Sequence, residues 1–240
     1  MADTSKPDPA ITDSKTLNSY HKGHRERMRA KVSADSTSIL SDAEVLEMFL
    51  YGINSRADTK PVVKALLAKF KNISNIITAD KAELRSVKGV GSAAIIHFHL
   101  IHEIEQRMKR DLVKDKPILA NWRAVQDFCI SQLAFEKVEH LLVLLLDAQN
   151  RLIESKIMTS GTINQTAIYP REIAKLGLNF HAKNIILAHN HPTFDDRPSQ
   201  ADILLTRKVK QALLSVDIEL HDHLIIAGNK CQSFKSIGLL

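Results

Sequence analysis

Apolar residues fall into two patterns along this chain. In the first half they recur every three or four positions, the helical period; in the second they cluster in short solid runs of strand length. Ser41-Asp42-Ala43-Glu44 is a capping box ahead of Val45, Leu46, Phe49 and Leu50, so a helix starts there and ends by Gly52 and Asn54. Asp58 and Pro61 open a second helix with Val62, Leu66, Leu67 and Phe70 on its apolar face, and Asp80 with Glu83 caps a third, short one. A long helix is expected over residues 92–108, then a charged stretch with Pro117. Residues 1–20 are rich in Ser, Thr, Asp, Lys and Pro, the composition of a disordered tail. This divides the chain into a tail over 1–20, a helical domain over 21–112, a linker over 113–120 and a second domain over 121–240.

In the second domain Asn121 caps a helix with Trp122, Val125, Phe128 and Cys129 on its inner side. Residues 141–146 are apolar throughout, as in a strand covered on both faces. Asp147 to Asn150 reads as a hairpin turn, 152–158 as the return strand and 161–168 as a further strand or edge. Pro170 starts a helix through Leu178, 184–188 form a strand, and a helix from Ser199 to about Val216 turns Ile203, Leu204, Val209 and Leu213 inward. Residues 220–227 and 231–234 make a last pair of strands. The expected fold class is α/β, helices around one sheet of mixed strand directions, preceded by the small all-helical domain.

The chemistry gathers where the 184–188 strand ends. Ile185-Ile186-Leu187-Ala188 runs into His189-Asn190-His191-Pro192. Alternate strand residues share a side, so His189 and His191 aim together while Asn190 points away. Seven residues separate His191 from Ser199, and two separate Ser199 from Asp202, in the first turn of the next helix. Two imidazoles from a strand end and one carboxylate from a helix start make the three-ligand set of a catalytic Zn²⁺, one per chain. The same Ser199-x-x-Asp202 is also a capping pattern.

This spacing resembles the metal motif of the JAMM (MPN+) metalloproteases. The flanks Gly161-Thr162-Ile163-Asn164, Pro170-Arg171-Glu172, Ala188-His189-Asn190-His191-Pro192 and Asp222-His223-Leu224-Ile225-Ile226 are similar to the RadC family in particular. The resemblance implies a cytidine-deaminase-like JAMM/MPN domain and zinc on His189, His191 and Asp202. It further implies hydrolysis of a peptide or isopeptide bond in a peptide or protein substrate, and an association with DNA repair. It makes Glu139, before Leu141-Leu142, the general acid/base, and lets Ser199 donate to an oxyanion. Glu172 competes with Glu139 for that role, and His221 and His223 read as packing and hydrogen-bonding residues. Where RadC relatives commonly have Ser-Gly after His-x-His-Pro, this chain has Thr193-Phe194.

Charge changes the picture of the first half. Of a net +6, residues 1–120 hold 20 Lys and Arg against 15 Asp and Glu, and residues 121–240 hold 13 against 12. The segment ending in Gly89-Val90-Gly91 resembles a helix-hairpin-helix turn, in which backbone N–H groups approach a DNA phosphate. Ile95 stands where that motif has a small residue, and Ala93 or Ala94 where a Lys is frequent. The alternatives to a peptidase are therefore a DNA-binding accessory protein with a structural or inert metal site, and a metal-dependent nuclease. No apolar run reaches the roughly 18 residues that span a bilayer and no signal-peptide core opens the chain, so no membrane partner and a cytoplasmic location are expected. The sequence leaves the oligomeric state open. Cys129 and Cys231, the two cysteines, read as free buried thiols.

Overall fold

The structure is a computed structural model that describes residues 23, 26–33, 40–53, 58–114, 117–159 and 169–240. The expected polar tail over 1–20 and the strand over 161–168 lie outside the described residues. The chain divides into two compact units, Met1–His102 and Glu103–Leu240.

The first unit is helical. α1 (Asp42–Ile53) opens with the expected capping box, Ser41 N–H on Glu44 at 2.9 Å and Glu44 N–H on the Ser41 hydroxyl at 3.3 Å. α2 (Lys60–Phe70) follows, with Asp58 accepting from the Lys60 N–H. α3 (Ile73–Ile77), capped by Asn72, is a single turn that apolar periodicity does not reveal. α4 (Lys81–Arg85) carries the Asp80 cap. Leu46, Leu50, Val63, Leu66, Ile76, Leu84 and Phe98 close the core. α5 (Ser92–Val113) runs past the expected end at Met108, and Val113 and Ile118 are buried in the core of the second unit rather than lying in an open connection.

The second unit is a five-stranded sheet with helices on both faces. β1 (His140–Leu146), β2 (Leu152–Thr159), β3 (Asn184–Asn190), β4 (Glu219–Ala227) and β5 (Lys230–Ser233) lie in the order β2-β1-β3-β4-β5. β3 and β4 run parallel and the other pairs antiparallel, the mixed directions expected. α6 (Trp122–Leu133) covers one face with Val125, Phe128, Cys129 and Leu133 against Leu142, Leu144, Ile186 and Ala188. α7 (Pro170–Asn179) and α8 (Gln200–Leu214) cover the other with Ile173, Val209 and Leu213 against Leu141, Val143, Ile185 and Leu187.

This alternation aims the site. Odd-numbered residues of β3 face α7 and α8, so His189 continues the Ile185–Leu187 row toward α8, and Asn190 continues the Ile186–Ala188 row toward α6. Burying each Leu or Ile contributes roughly 1.5–3 kcal/mol, and a one-residue slip would turn the whole row over, so packing fixes the direction of His189. One expected face is corrected. Val209 and Leu213 of α8 are buried, but Leu204 is 53 % exposed, and Thr206 takes an inward position.

Candidate metal centre

The predicted residues reach the site from three places: the end of β3, the start of α8 and the residue before β1. His189 is in β3, at its C-terminal end, and His191 lies one residue beyond the strand, its N–H bonded to the Ile226 carbonyl of β4 at 2.8 Å. Asp202 is the third residue of α8, whose N-cap is Ser199. Glu139 immediately precedes β1. Ligand atoms of Glu139, His189, His191 and Asp202 all lie within 4.8 Å of one another. The two Nε2 atoms are 3.0 Å apart, and the Asp202 carboxylate straddles them, Oδ1 3.3 Å from His189 Nε2 and Oδ2 3.4 Å from His191 Nε2. Metal bonds of about 2.0–2.1 Å in a tetrahedron subtend edges of about 3.3 Å, and these three separations are close to that.

The hydrogen-bond network fixes what the imidazoles present. The Thr206 hydroxyl gives its one proton to the Asp202 carbonyl at 2.6 Å, so toward His223 Nδ1, also at 2.6 Å, it can only accept. Burial, reinforced by the neighbouring His189, holds the His223 imidazole well below its ordinary pKa, so it is neutral with the proton on Nδ1. Its Nε2 therefore accepts from His189 Nδ1–H at 2.8 Å. In the same way His191 Nδ1 donates to the Asp195 carbonyl at 2.6 Å. Both Nε2 lone pairs are thus left facing each other beside a carboxylate, an arrangement that repels itself unless a cation lies among them. The donor set fits a divalent metal, with His223, Thr206 and Asp195 acting as the outer partners that orient ligating imidazoles.

Asp202 does two jobs at once. One of its oxygens accepts from the Ser199 N–H at 2.7 Å while its own N–H bonds the Ser199 hydroxyl at 3.1 Å, a complete capping box. Burial pushes the carboxyl up, but positive charge on the facing His189, a proton on Nε2 standing where a metal would otherwise lie, and the Ser199 bonds outweigh it and hold the carboxyl well below the usual carboxylate range. The Ser199 bond uses the hydroxyl as acceptor and leaves its proton to be donated.

Glu139 has its Oε1 3.9 Å from His189 Nε2, with 56 % of its side chain exposed. Glu172, in the first turn of α7, is exposed, bonds Arg171 and is outside the four-residue group. His221 stands against the Trp122 ring, 6.3 Å between centroids. Phe194, 66 % exposed, sits on the loop after His191 at φ 61°, a left-handed conformation open to glycine but costing a bulky residue about 1–3 kcal/mol. In the first unit Gly89 turns at φ 92°, Val90 is buried, and Gly91 is exposed with open space where a Cβ would stand. Cys129 is buried and Cys231 half-buried, both free thiols, and burial pushes Cys231 up to about 12.

The sequence reads His223 as a packing and hydrogen-bonding residue, which its bonds to His189 and Thr206 bear out, and turns Asn190 away from the histidines without giving it a partner. Thr206 is missed, its one signal being that it interrupts an apolar face. No helix among the described residues is long and apolar enough to cross a membrane. A family model for the RadC-like JAB domain matches residues 119–239.

Proposed function

From the fact that this chain belongs to the RadC-like JAB domain family, we propose that it is a zinc-dependent hydrolase of JAMM type cleaving a peptide or isopeptide bond. One observation carries the reading: two imidazole lone pairs and a carboxylate meet at tetrahedral edge distances at the C-terminal end of a buried strand. His189, His191 and Asp202 would hold the metal, which would supply Lewis-acid polarisation of the substrate carbonyl. Glu139 takes a proton from the attacking water on Oε1 and passes it to the leaving nitrogen. Ser199 keeps Asp202 in place through the capping box, and its hydroxyl keeps a proton to donate to a developing oxyanion. The His223–Thr206 pair keeps the His189 proton on Nδ1.

The test is removal and return of the metal. Protein stripped with a chelator loses cleavage of a pool of internally quenched octapeptides of mixed sequence, and about one equivalent of zinc per chain restores it. Cleavage that survives stripping, or that zinc does not restore, ends the reading.

A second reading, DNA contact through a helix-hairpin-helix turn in the first unit, is favoured by Gly91. The fold does not require glycine there, so a bare, exposed backbone between α4 and α5 is left for a phosphate. Residues 58–91 also carry seven Lys and Arg against three Asp and Glu. The full-length protein is expected to bind a duplex oligonucleotide at low salt with an affinity that falls linearly in log salt. Absence of binding at low salt removes this reading and leaves the hydrolase untouched.

A further inference from the structure

Asn190, between the two histidines, faces away from the metal centre and is 2 % exposed. A buried amide costs free energy unless its groups are satisfied, and here three bonds satisfy it. Its Oδ1 accepts from the His140 N–H at 2.8 Å, and its Nδ2 donates to the Val138 carbonyl at 3.0 Å and the Glu136 carbonyl at 3.2 Å. Two of these bonds straddle residue 139. They grip the carbonyl before it and the N–H after it, the pair of groups that a neighbouring strand would otherwise engage. Those peptide planes set the backbone on both sides of Glu139, and so the direction of its Cα–Cβ bond.

The ladder does not do this by itself. β1 pairs with β3 only as far as Leu141 opposite His189, so Glu139 lies beyond the last named rung. Its side chain is more than half exposed. We propose that Asn190 is a positioning residue that clamps the 136–140 segment so that the Glu139 carboxylate is held over the metal ligands; this rests on the hydrolytic reading given above. One dipeptide, His189-Asn190, then supplies a ligand on one face of the sheet and the support for the proton-transfer group through the other. The backbone at Glu139 cannot shift relative to His189 without straining the bonds that Asn190 makes to Val138 and His140.

The experiment compares full-length, zinc-loaded wild type with Asn190→Ala, Asn190→Asp and Glu139→Gln. Asn190→Asp keeps the acceptor for His140 and replaces the two donations by a carboxylate facing carbonyls, so it tests the clamp without creating a hole. Both Asn190 variants are expected to retain one zinc per chain. Their crystal structures are expected to show the Glu139 Oε1 to His189 Nε2 separation widened by about 1 Å or more, and kcat on the octapeptide pool lowered about 10²-fold at nearly unchanged KM. A loss confined to stability would leave kcat and that separation unmoved. Asn190 variants with the wild-type separation and wild-type kcat, beside an inactive Glu139→Gln, overturn the clamp alone. A fully active Glu139→Gln, or a wild type that cleaves no peptide, overturns the hydrolytic reading and the clamp's catalytic role together.

Discussion

Asp202→Asn yields a folded protein that no longer retains metal through gel filtration, whereas wild type carries about one zinc per chain by elemental analysis. The substitution separates the two jobs of this residue. An Asn side chain still offers an oxygen to the Ser199 N–H, so the capping box that opens α8 survives. What disappears is the negative charge opposite two imidazole nitrogens, held ionised well below the usual carboxylate range. Loss of an outer partner of a metal ligand costs roughly 10- to 100-fold in affinity, and loss of a ligand itself costs more. Thermal stability measured on the metal-free proteins should differ little between wild type and Asp202→Asn. Asp202→Ala, which removes the carboxylate half of the capping box while the Ser199 hydroxyl still accepts from the residue 202 N–H, should lose up to about 1 kcal/mol. If Asp202→Asn keeps a full equivalent of zinc, Asp202 is a helix cap and the three-ligand site is wrong.

How far the sequence anticipated this arrangement depends on the range of each interaction. The apolar runs at 141–146 and 185–188 announce buried strands because they are covered on both faces. Period two puts His189 on the α8 side, and the Ser199–Asp202 spacing fixes Asp202 in the first turn of α8; each of these is local. The outer network is not local. Thr206 meets His223 across 17 residues, and Asn190 holds carbonyls 52 and 54 residues away. Only the register of β1 on β3 and of β3 on β4 brings them together. Inside α8 the apolar period favours Leu204 for the inward face, but a threonine turns in there because its hydroxyl has a buried imidazole and a carbonyl to satisfy. The extent of α5 is hidden for a related reason. Residues 109–113 look like a charged connection, yet the Val113 side chain reaches the second core and Arg110 pairs with Glu154 at 2.8 Å, so tertiary contact prolongs the helix.

Glu139→Gln keeps its zinc and loses turnover by about 10²- to 10⁴-fold in kcat, with KM close to wild type. The two halves of this expectation come from one distance. At 3.9 Å from His189 Nε2, the Glu139 oxygen stands farther off than the three ligand-to-ligand separations, all between 3.0 and 3.4 Å. The carboxylate is therefore placed beyond the ligand set but close enough to reach a group bound at its open side. Glutamine has the same shape and can still accept a hydrogen bond, so substrate binding and the backbone clamp at 138–140 persist, while the amide cannot take up and return a proton. Elemental analysis beside steady-state kinetics separates the outcomes. Loss of zinc together with activity would make Glu139 a fourth ligand rather than a base. Full activity with zinc retained would free it of any role, and Glu172→Gln would then be the variant to lose turnover, even though Glu172 stands outside the four-residue group and bonds Arg171.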